Sequence, residues 1–223
     1  MNPPAQFDFG TELITIMAAL MLVIQLLLVP QRMLLTGIRL FAIQSFLLAA
    51  IAAVVAYYYN AGHVYVVVAL TVAGKVIFLP WFLSRLVRRI GIQQEIEPLF
   101  GAPTALMICG GLTLLGCLVA RPFASAEKLG SNTLAIALAL LLTGLFLMIN
   151  GRKAITQVLA LLTIENGVML SAIALTTYGM PLVVELGIFF DVLVAVMVLG
   201  ILVYRIRENF SSMDTRKLNQ LKG

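Results

Sequence analysis

Charge is scarce in this sequence. Of 223 residues, 11% are charged and 61% are hydrophobic, whereas soluble domains average nearer 25% charged. Too little polar side chain is present to cover a water-facing surface. Histidine occurs once, as His63, and cysteine twice, as Cys109 and Cys117 in one apolar run. No metal-ligand or redox spacing can be assembled from them, and the two cysteines read as small packing residues. A nucleophile triad and a phosphate-binding loop are also missing. The apolar runs lack the apolar/polar alternation of a membrane β-barrel, which excludes that class. The N-terminus lacks a basic segment, since its first charges are Asp8 and Glu12. The first apolar run is therefore expected to stay as a span rather than act as a cleavable signal.

What is present is a series of runs long enough to cross a bilayer as helices, which takes about 20 residues each. The expected fold is all-α: a polytopic membrane bundle of about seven transmembrane helices forming a single integral membrane domain over residues 1–223. The spans fall near Gly10–Val29, Leu40–Tyr59, His63–Leu83, Pro103–Ala120, Asn132–Met148, Ile155–Tyr178 and Leu182–Tyr204. Five spans thus occupy 10–148 and a two-helix part 155–204, with a tail at 205–223. Breakers mark the connections: Pro30, Asn60-Ala61-Gly62, Pro98, Pro122, Asn150-Gly151 and Gly179-Met180-Pro181.

Net charge is +5, and its placement explains it without nucleic acid. Arg32 and Arg39, then Arg85, Arg88 and Arg89, then Arg152 and Lys153, then Arg205, Arg207, Arg216, Lys217 and Lys222 share one side of the bundle. The other side has only Arg121 and Lys128. The positive-inside rule then puts the N-terminus outside and the C-terminus in the cytoplasm, in agreement with an odd number of spans. Tyr57, Tyr58, Tyr59 and Tyr178 fall at outer ends and Trp81 at an inner end, where aromatic belts form. The connection Ser84–Leu99 interleaves apolar and charged residues. It reads as an interfacial amphipathic piece or as a docking surface for a partner.

A few ionisable residues stand inside the spans. A charge at mid-bilayer costs roughly 2.5–3.5 kcal/mol on insertion scales, so such residues face the bundle interior or a wet cavity. Lys75 is about ten residues from the inner end of its span, roughly 15 Å deep at 1.5 Å per residue. Pro80 follows in the same span and frees a backbone carbonyl. Glu165 is roughly 18 Å and Asp191 roughly 21 Å from the same side, so three helices place an ionisable group near the midplane. Glu185 lies nearer the outer surface and about 120° round the helix from Asp191. Gly187, Asp191 and Ala195 form a small-residue stripe that admits a neighbouring helix to the carboxylate. Asn166 and Gly167 give Glu165 a polar neighbour and a flexible backbone point. Burial raises a carboxylate's pKa and lowers a lysine's, while each opposes the shift of the other, so such a set can exchange protons near neutral pH. Gln25 in the first span, and Gln44 and Ser45 in the second, are candidates for interhelical hydrogen bonds or for lining a water path. Gly110, Gly111 and Gly116 are expected to let the fourth and fifth spans approach closely as scaffold.

Several stretches carry a family resemblance: Thr163-Ile164-Glu165-Asn166-Gly167, Pro181-Leu182-Val183-Val184-Glu185-Leu186-Gly187 with Asp191, and Asp214-Thr215 with the ending Leu218-Asn219-Gln220-Leu221-Lys222-Gly223. With Gln44-Ser45, Lys75 and Pro80 upstream, the chain resembles the hydrogenase-4 component E family over nearly its whole length. That family is a membrane subunit of formate hydrogenlyase-type, energy-conserving [NiFe] hydrogenases. The last two spans also resemble, more weakly, the K subunit of respiratory complex I and the C subunit of multisubunit sodium/proton antiporters. Counted back from the basic helix end, Asp191 falls where that K subunit has its second membrane glutamate.

The resemblance implies a membrane-arm subunit without a cofactor of its own. Nickel–iron and iron–sulfur centres would sit on partner chains. Its partners would be antiporter-like and complex I-like membrane subunits, peripheral hydrogenase subunits and the lipid bilayer, in a bacterial or archaeal plasma membrane. Lys75, Glu165, Asp191 and Glu185 would form the proton relay, with Gln44, Ser45 and Asn166 supporting it. Two other readings use the same residues. One is a membrane anchor of the same complex with no transport role. The other is a photoreceptor with Lys75 as a Schiff-base lysine, although one Trp gives little of the aromatic wall such a pocket needs.

Overall fold

The computed structural model describes residues 5–58, 64–90, 98–123, 132–152 and 154–175. Their regular structure is entirely helical. In chain order the elements are α1 (Ala5–Leu28), α2 (Leu34–Tyr58), α3 (Val64–Thr71), a π-helical segment (Val72–Phe78), α4 (Leu79–Ile90), α5 (Ala102–Ala120) with a single 3-10 turn (Arg121–Phe123), α6 (Thr133–Asn150) and α7 (Ala154–Leu175). Among the described residues, six stretches are long and apolar enough to cross a membrane: Gly10–Leu28, Leu34–Tyr58, Val68–Arg88, Ala102–Phe123, Thr133–Asn150 and Ile155–Leu175. They match the first six expected spans. The seventh, with Glu185 and Asp191, lies outside the described residues, as do His63 and the C-terminal tail.

Helices prevail because a bilayer offers the backbone no water to bond to, and a helix satisfies its amides internally. Between the helices, packing and polar contacts take over from the hydrophobic effect, since lipid is as apolar as leucine. α7 packs along α6 and α2, α6 also along α5 and α1, and α2 along α1, α3, the π segment and α4. Glycine sets the closest approaches. A Cβ on Gly116 of α5 would stand 2.9 Å from the backbone nitrogen of Ala139 on α6. Gly110 and Gly111, expected to do the same, have no neighbour within 4 Å. They sit on the open face of α5, whose apolar residues Met107, Leu114 and Leu118 are exposed. A helix presents only one stripe to each neighbour, so glycines six residues apart need not share a contact.

Two further expectations are corrected. α2 starts at Leu34, so Arg39 is an exposed residue within the helix rather than part of the connection. The connection after the third span does not start at Ser84, because α4 continues to Ile90. Its Leu83, Leu86 and Val87 are buried, while Arg85 and Arg88 are exposed. This amphipathic stripe extends the helix past the apolar run, a feature that hydropathy averaging conceals.

The π segment surrounds Lys75. The Leu79 N–H bonds to the carbonyl of Gly74, five residues back. Pro80 supplies no N–H, so an α-ladder would lose a bond here, and the wider turn re-registers the ladder ahead of it. Gly74 has open space around it; its contribution is backbone freedom rather than packing. Such turns recur at functional sites.

Candidate functional site: a buried ion pair and an amide circuit

Of the apolar clusters among the described residues, the two largest have a polar layer between them. One cluster joins Leu34, Ile38 and Phe41 of α2, Leu79, Leu83 and Val87 of α4, and Ile155, Val158, Leu159 and Leu162 of α7. The other joins Ile14, Ala18 and Met21 of α1, Leu48 and Ile51 of α2, Leu140 of α6, and Met169, Leu170 and Ile173 of α7. On α2 the gap between Phe41 and Leu48 holds Gln44 and Ser45. On α7 the gap between Leu162 and Met169 holds Thr163, Glu165 and Asn166. On α1, Gln25 follows Met21 by one turn. All six side chains are buried.

Lys75 reaches this layer from the π segment. Its Nζ is 2.7 Å from Oε1 of Glu165, and both side chains are at most 2% exposed. Two of the charges expected at mid-membrane are therefore directly paired. The contact is a close buried ion pair, and the low dielectric around it strengthens the attraction. Its strength does not make it an efficient source of stability. Taking both ions out of water costs several kcal/mol each, and well-packed apolar replacements are often neutral or stabilising by about 1–4 kcal/mol.

Beside the ion pair, the amides form a closed circuit through three helices. Asn166 Nδ2 donates to Gln44 Oε1 at 3.2 Å and to Ser45 Oγ at 3.1 Å. Gln44 Nε2 donates to Gln25 Oε1 at 3.1 Å and to the carbonyl of Met21 at 3.3 Å. Gln25 Nε2 donates to Thr163 Oγ1 at 3.4 Å, and Thr163 Oγ1 donates to the carbonyl of Ala160 at 2.8 Å. The circuit leaves α7 at Asn166, crosses α2 and α1, and returns to α7 at Thr163. Asn166 Oδ1, adjacent in sequence to Glu165, is buried with no hydrogen-bond partner among the described residues.

The structure thus brings Lys75, Glu165, Gln44, Ser45 and Asn166 into one layer, and adds Gln25 and Thr163 to it. Gln25 was legible as a polar side chain within its span, but Thr163 reads as an ordinary helical threonine until Gln25 of α1 is brought to it. Glu185 and Asp191 are outside the described residues. Cys109 packs against Val29, Ala105 and Phe146, as a small apolar residue would, while Cys117 is exposed.

Gln44 is the hub, and its loss gives a graded test. Gln44→Leu strips partners from Gln25 Oε1 and leaves Asn166 Nδ2 with Ser45 alone. An unsatisfied buried polar group costs about 1–3 kcal/mol, so a clear fall in thermal stability in detergent is expected. Ser45→Ala should be milder, because Asn166 Nδ2 keeps Gln44. Equal melting temperatures for Gln44→Leu and the parent would show that the circuit holds nothing together.

The chain is 35% identical over 187 residues to an uncharacterized protein of Mycobacterium tuberculosis, covering 83% of this chain and 84% of that one. It is 26% identical over 215 residues to hydrogenase-4 component E of Escherichia coli, covering 96% of this chain and 99% of that one. The same figures hold for hydrogenase-4 component E of Shigella flexneri. The chain is thus similar to hydrogenase-4 component E over nearly the whole of both chains. No family model matches it, and no solved structure matches it. The component E match runs nearly end to end in both chains, so it takes in the six described spans and the residues after them alike.

Proposed function

We propose that the chain is a membrane-arm subunit of a complex I-like, energy-conserving hydrogenase complex, and that Lys75 and Glu165 move protons at mid-membrane when redox chemistry proceeds on partner subunits. The observation that carries this reading is the buried ion pair beside a π turn. A pair kept only to hold helices together would be replaceable by apolar residues at no loss; a pair that titrates would not. In the proposed step the Lys75 ammonium passes its proton to the Glu165 carboxylate. This leaves a neutral amine and acid, and either can then be recharged by a neighbour. Asp191 and Glu185 are proposed as further members of the relay, and Gln44, Ser45 and Asn166 as the polar wall beside it. The [NiFe] and iron–sulfur centres belong, on this reading, to partner chains. The complex sits in a plasma membrane with the C-terminus of this chain in the cytoplasm.

The similarity to hydrogenase-4 component E supports the placement in a hydrogenase complex, and buried acid–lysine pairs are the groups a membrane proton relay requires. The hydrogen-bonded circuit favours the second reading, an assembly anchor, since it ties three helices without any titrating group.

The deciding experiment is Glu165→Gln in the assembled complex, in membrane vesicles, with proton uptake and hydrogenase turnover measured on the same preparation. The relay reading expects proton movement per turnover to fall several-fold while much of the turnover survives. Asp191→Asn should do the same, and Glu185→Gln less. If Glu165→Gln and Asp191→Asn both assemble and pump like the parent, the carboxylates only bind helices and the anchor reading stands.

A further inference from the structure

The outward face of α4 has no part in the ion pair or the amide circuit. Burial of Leu83, Leu86 and Val87 fixes the rotation of this helix. Trp81, Arg85 and Arg88 then share the opposite stripe at i, i+4 and i+7, and all three are exposed. With Pro80 and Ser84 they line an open groove. The Arg85 guanidinium carbon is 5.7 Å from the centroid of the Trp81 ring, a cation–π contact that holds the cation at the groove wall. α4 contains no acidic residue, and no acidic side chain among the described residues pairs with Arg85 or Arg88.

Toward the membrane interior the stripe turns apolar. Phe78 lies 6.5 Å from Trp81, centroid to centroid, and Phe78 and Ile77 are both more than half exposed. The apolar stretch Val68–Arg88 ends where the cations are, which puts them at headgroup depth. An exposed apolar track leading to two arginines, a hydroxyl and an indole matches an amphiphile with a negative head. Arginine's fork recognises phosphate oxygens in pairs.

We propose that this face of α4 is a binding site for an anionic phospholipid, with the phosphodiester between Arg85, Arg88 and Ser84 and the acyl chains along Trp81, Phe78 and Ile77. A protein segment with acidic side chains would meet the cations but would leave the apolar track unmatched, so the lipid is the better fit.

Trp81 is the sole tryptophan of the chain, so its fluorescence reports this site alone. The full chain is reconstituted in phosphatidylcholine vesicles containing a small fraction of brominated phosphatidylglycerol, or of brominated phosphatidylcholine as control. Bromine quenches an indole in contact. The apparent enrichment of phosphatidylglycerol at Trp81 is expected to be about tenfold, since each basic residue near a membrane attracts anionic lipid. Arg85→Gln with Arg88→Gln should abolish the preference. Arg85→Lys with Arg88→Lys should keep part of it, through charge without the paired hydrogen bonds, which separates lost charge from a disturbed fold. Arg32→Gln, a charge removed elsewhere, should change nothing, and millimolar inorganic phosphate should not compete. The proposal is overturned by equal quenching from the two lipids, by a preference that survives the double Gln change, by loss of preference in Arg32→Gln, or by displacement with phosphate. An indole quenched by neither lipid, as a protein cover would give, overturns it as well.

Discussion

Glu165→Leu alone is expected to lose most of its folded yield, and Lys75→Met with Glu165→Leu to recover it. The single change leaves the Lys75 ammonium buried with its 2.7 Å partner gone. Breaking a buried pair by removing one member costs about 3–5 kcal/mol, a large part of the stability of an ordinary domain. The double change removes both desolvation costs by putting apolar side chains where the two ions were. Thermal unfolding of the parent, Glu165→Leu, Lys75→Met and the double variant in detergent gives the coupling between the two sites, and residues in direct contact should couple strongly. The double variant also separates the two functional readings. On the relay reading it assembles into the complex, restores stability and does not move protons. On the anchor reading it assembles and behaves as the parent does. If the single change is as stable as the parent, Lys75 has another counter-charge and the pairing of Lys75 with Glu165 is not what holds the layer together.

The second large effect is steric. Gly144 of α6 faces the site motif on α7. A Cβ at this position would lie 2.7 Å from Cγ1 of Ile164, and 3.3 Å from both the Ile164 nitrogen and Thr163 Oγ1. Gly167 completes the same seam from α7: its Cβ would stand 3.1 Å from the Leu141 nitrogen and 3.2 Å from the Ala137 carbonyl oxygen. Gly144→Leu must therefore push α6 and α7 apart at the level where α7 presents Thr163, Glu165 and Asn166. Overpacking costs typically 1–3 kcal/mol, and about that much destabilisation is expected, with backbone in the way on both sides. Gly110→Leu is the matched control. Nothing lies within 4 Å of Gly110, so that change should be close to neutral. Melting curves of the two variants, side by side, check the prediction. Equal stability would mean that the helices yield at this seam and that glycine is not what sets their separation.

How much of this was legible in the residues differs from element to element. The apolar runs locate the spans, because a bilayer core of about 30 Å requires about 20 apolar residues per helix. That rule is local, so it needs no knowledge of neighbours, and six of the expected spans are found in place. Charge inside a run is equally visible, which singled out Lys75 and Glu165. Helix ends were less legible. Arg39, Arg85 and Arg88 lie within helices because long basic side chains reach the interface from inside the end turns, and composition averages treat them as loop.

Pairing was not legible at all. The sequence puts Lys75, Glu165 and Asp191 at similar expected depths, but depth depends on position along each helix, whereas contact depends on the rotation and neighbours of each helix. The packing of α2 against α4 and α7 decided that Lys75 meets Glu165. The amide circuit has the same origin, since Gln25 and Thr163 are 138 residues apart and their meeting depends on α1 and α7 flanking α2. The π turn lies between these cases: Pro80 and Gly74 announced an irregular backbone, but the wider ladder around Lys75 emerged only once the helix was built. The sequence by itself determined that the chain enters a membrane, where it crosses and which charges it takes inside, because one-dimensional patterns answer to the solvent. The tertiary structure decided which of those charges and amides touch, because only packed helices bring distant residues within hydrogen-bond reach.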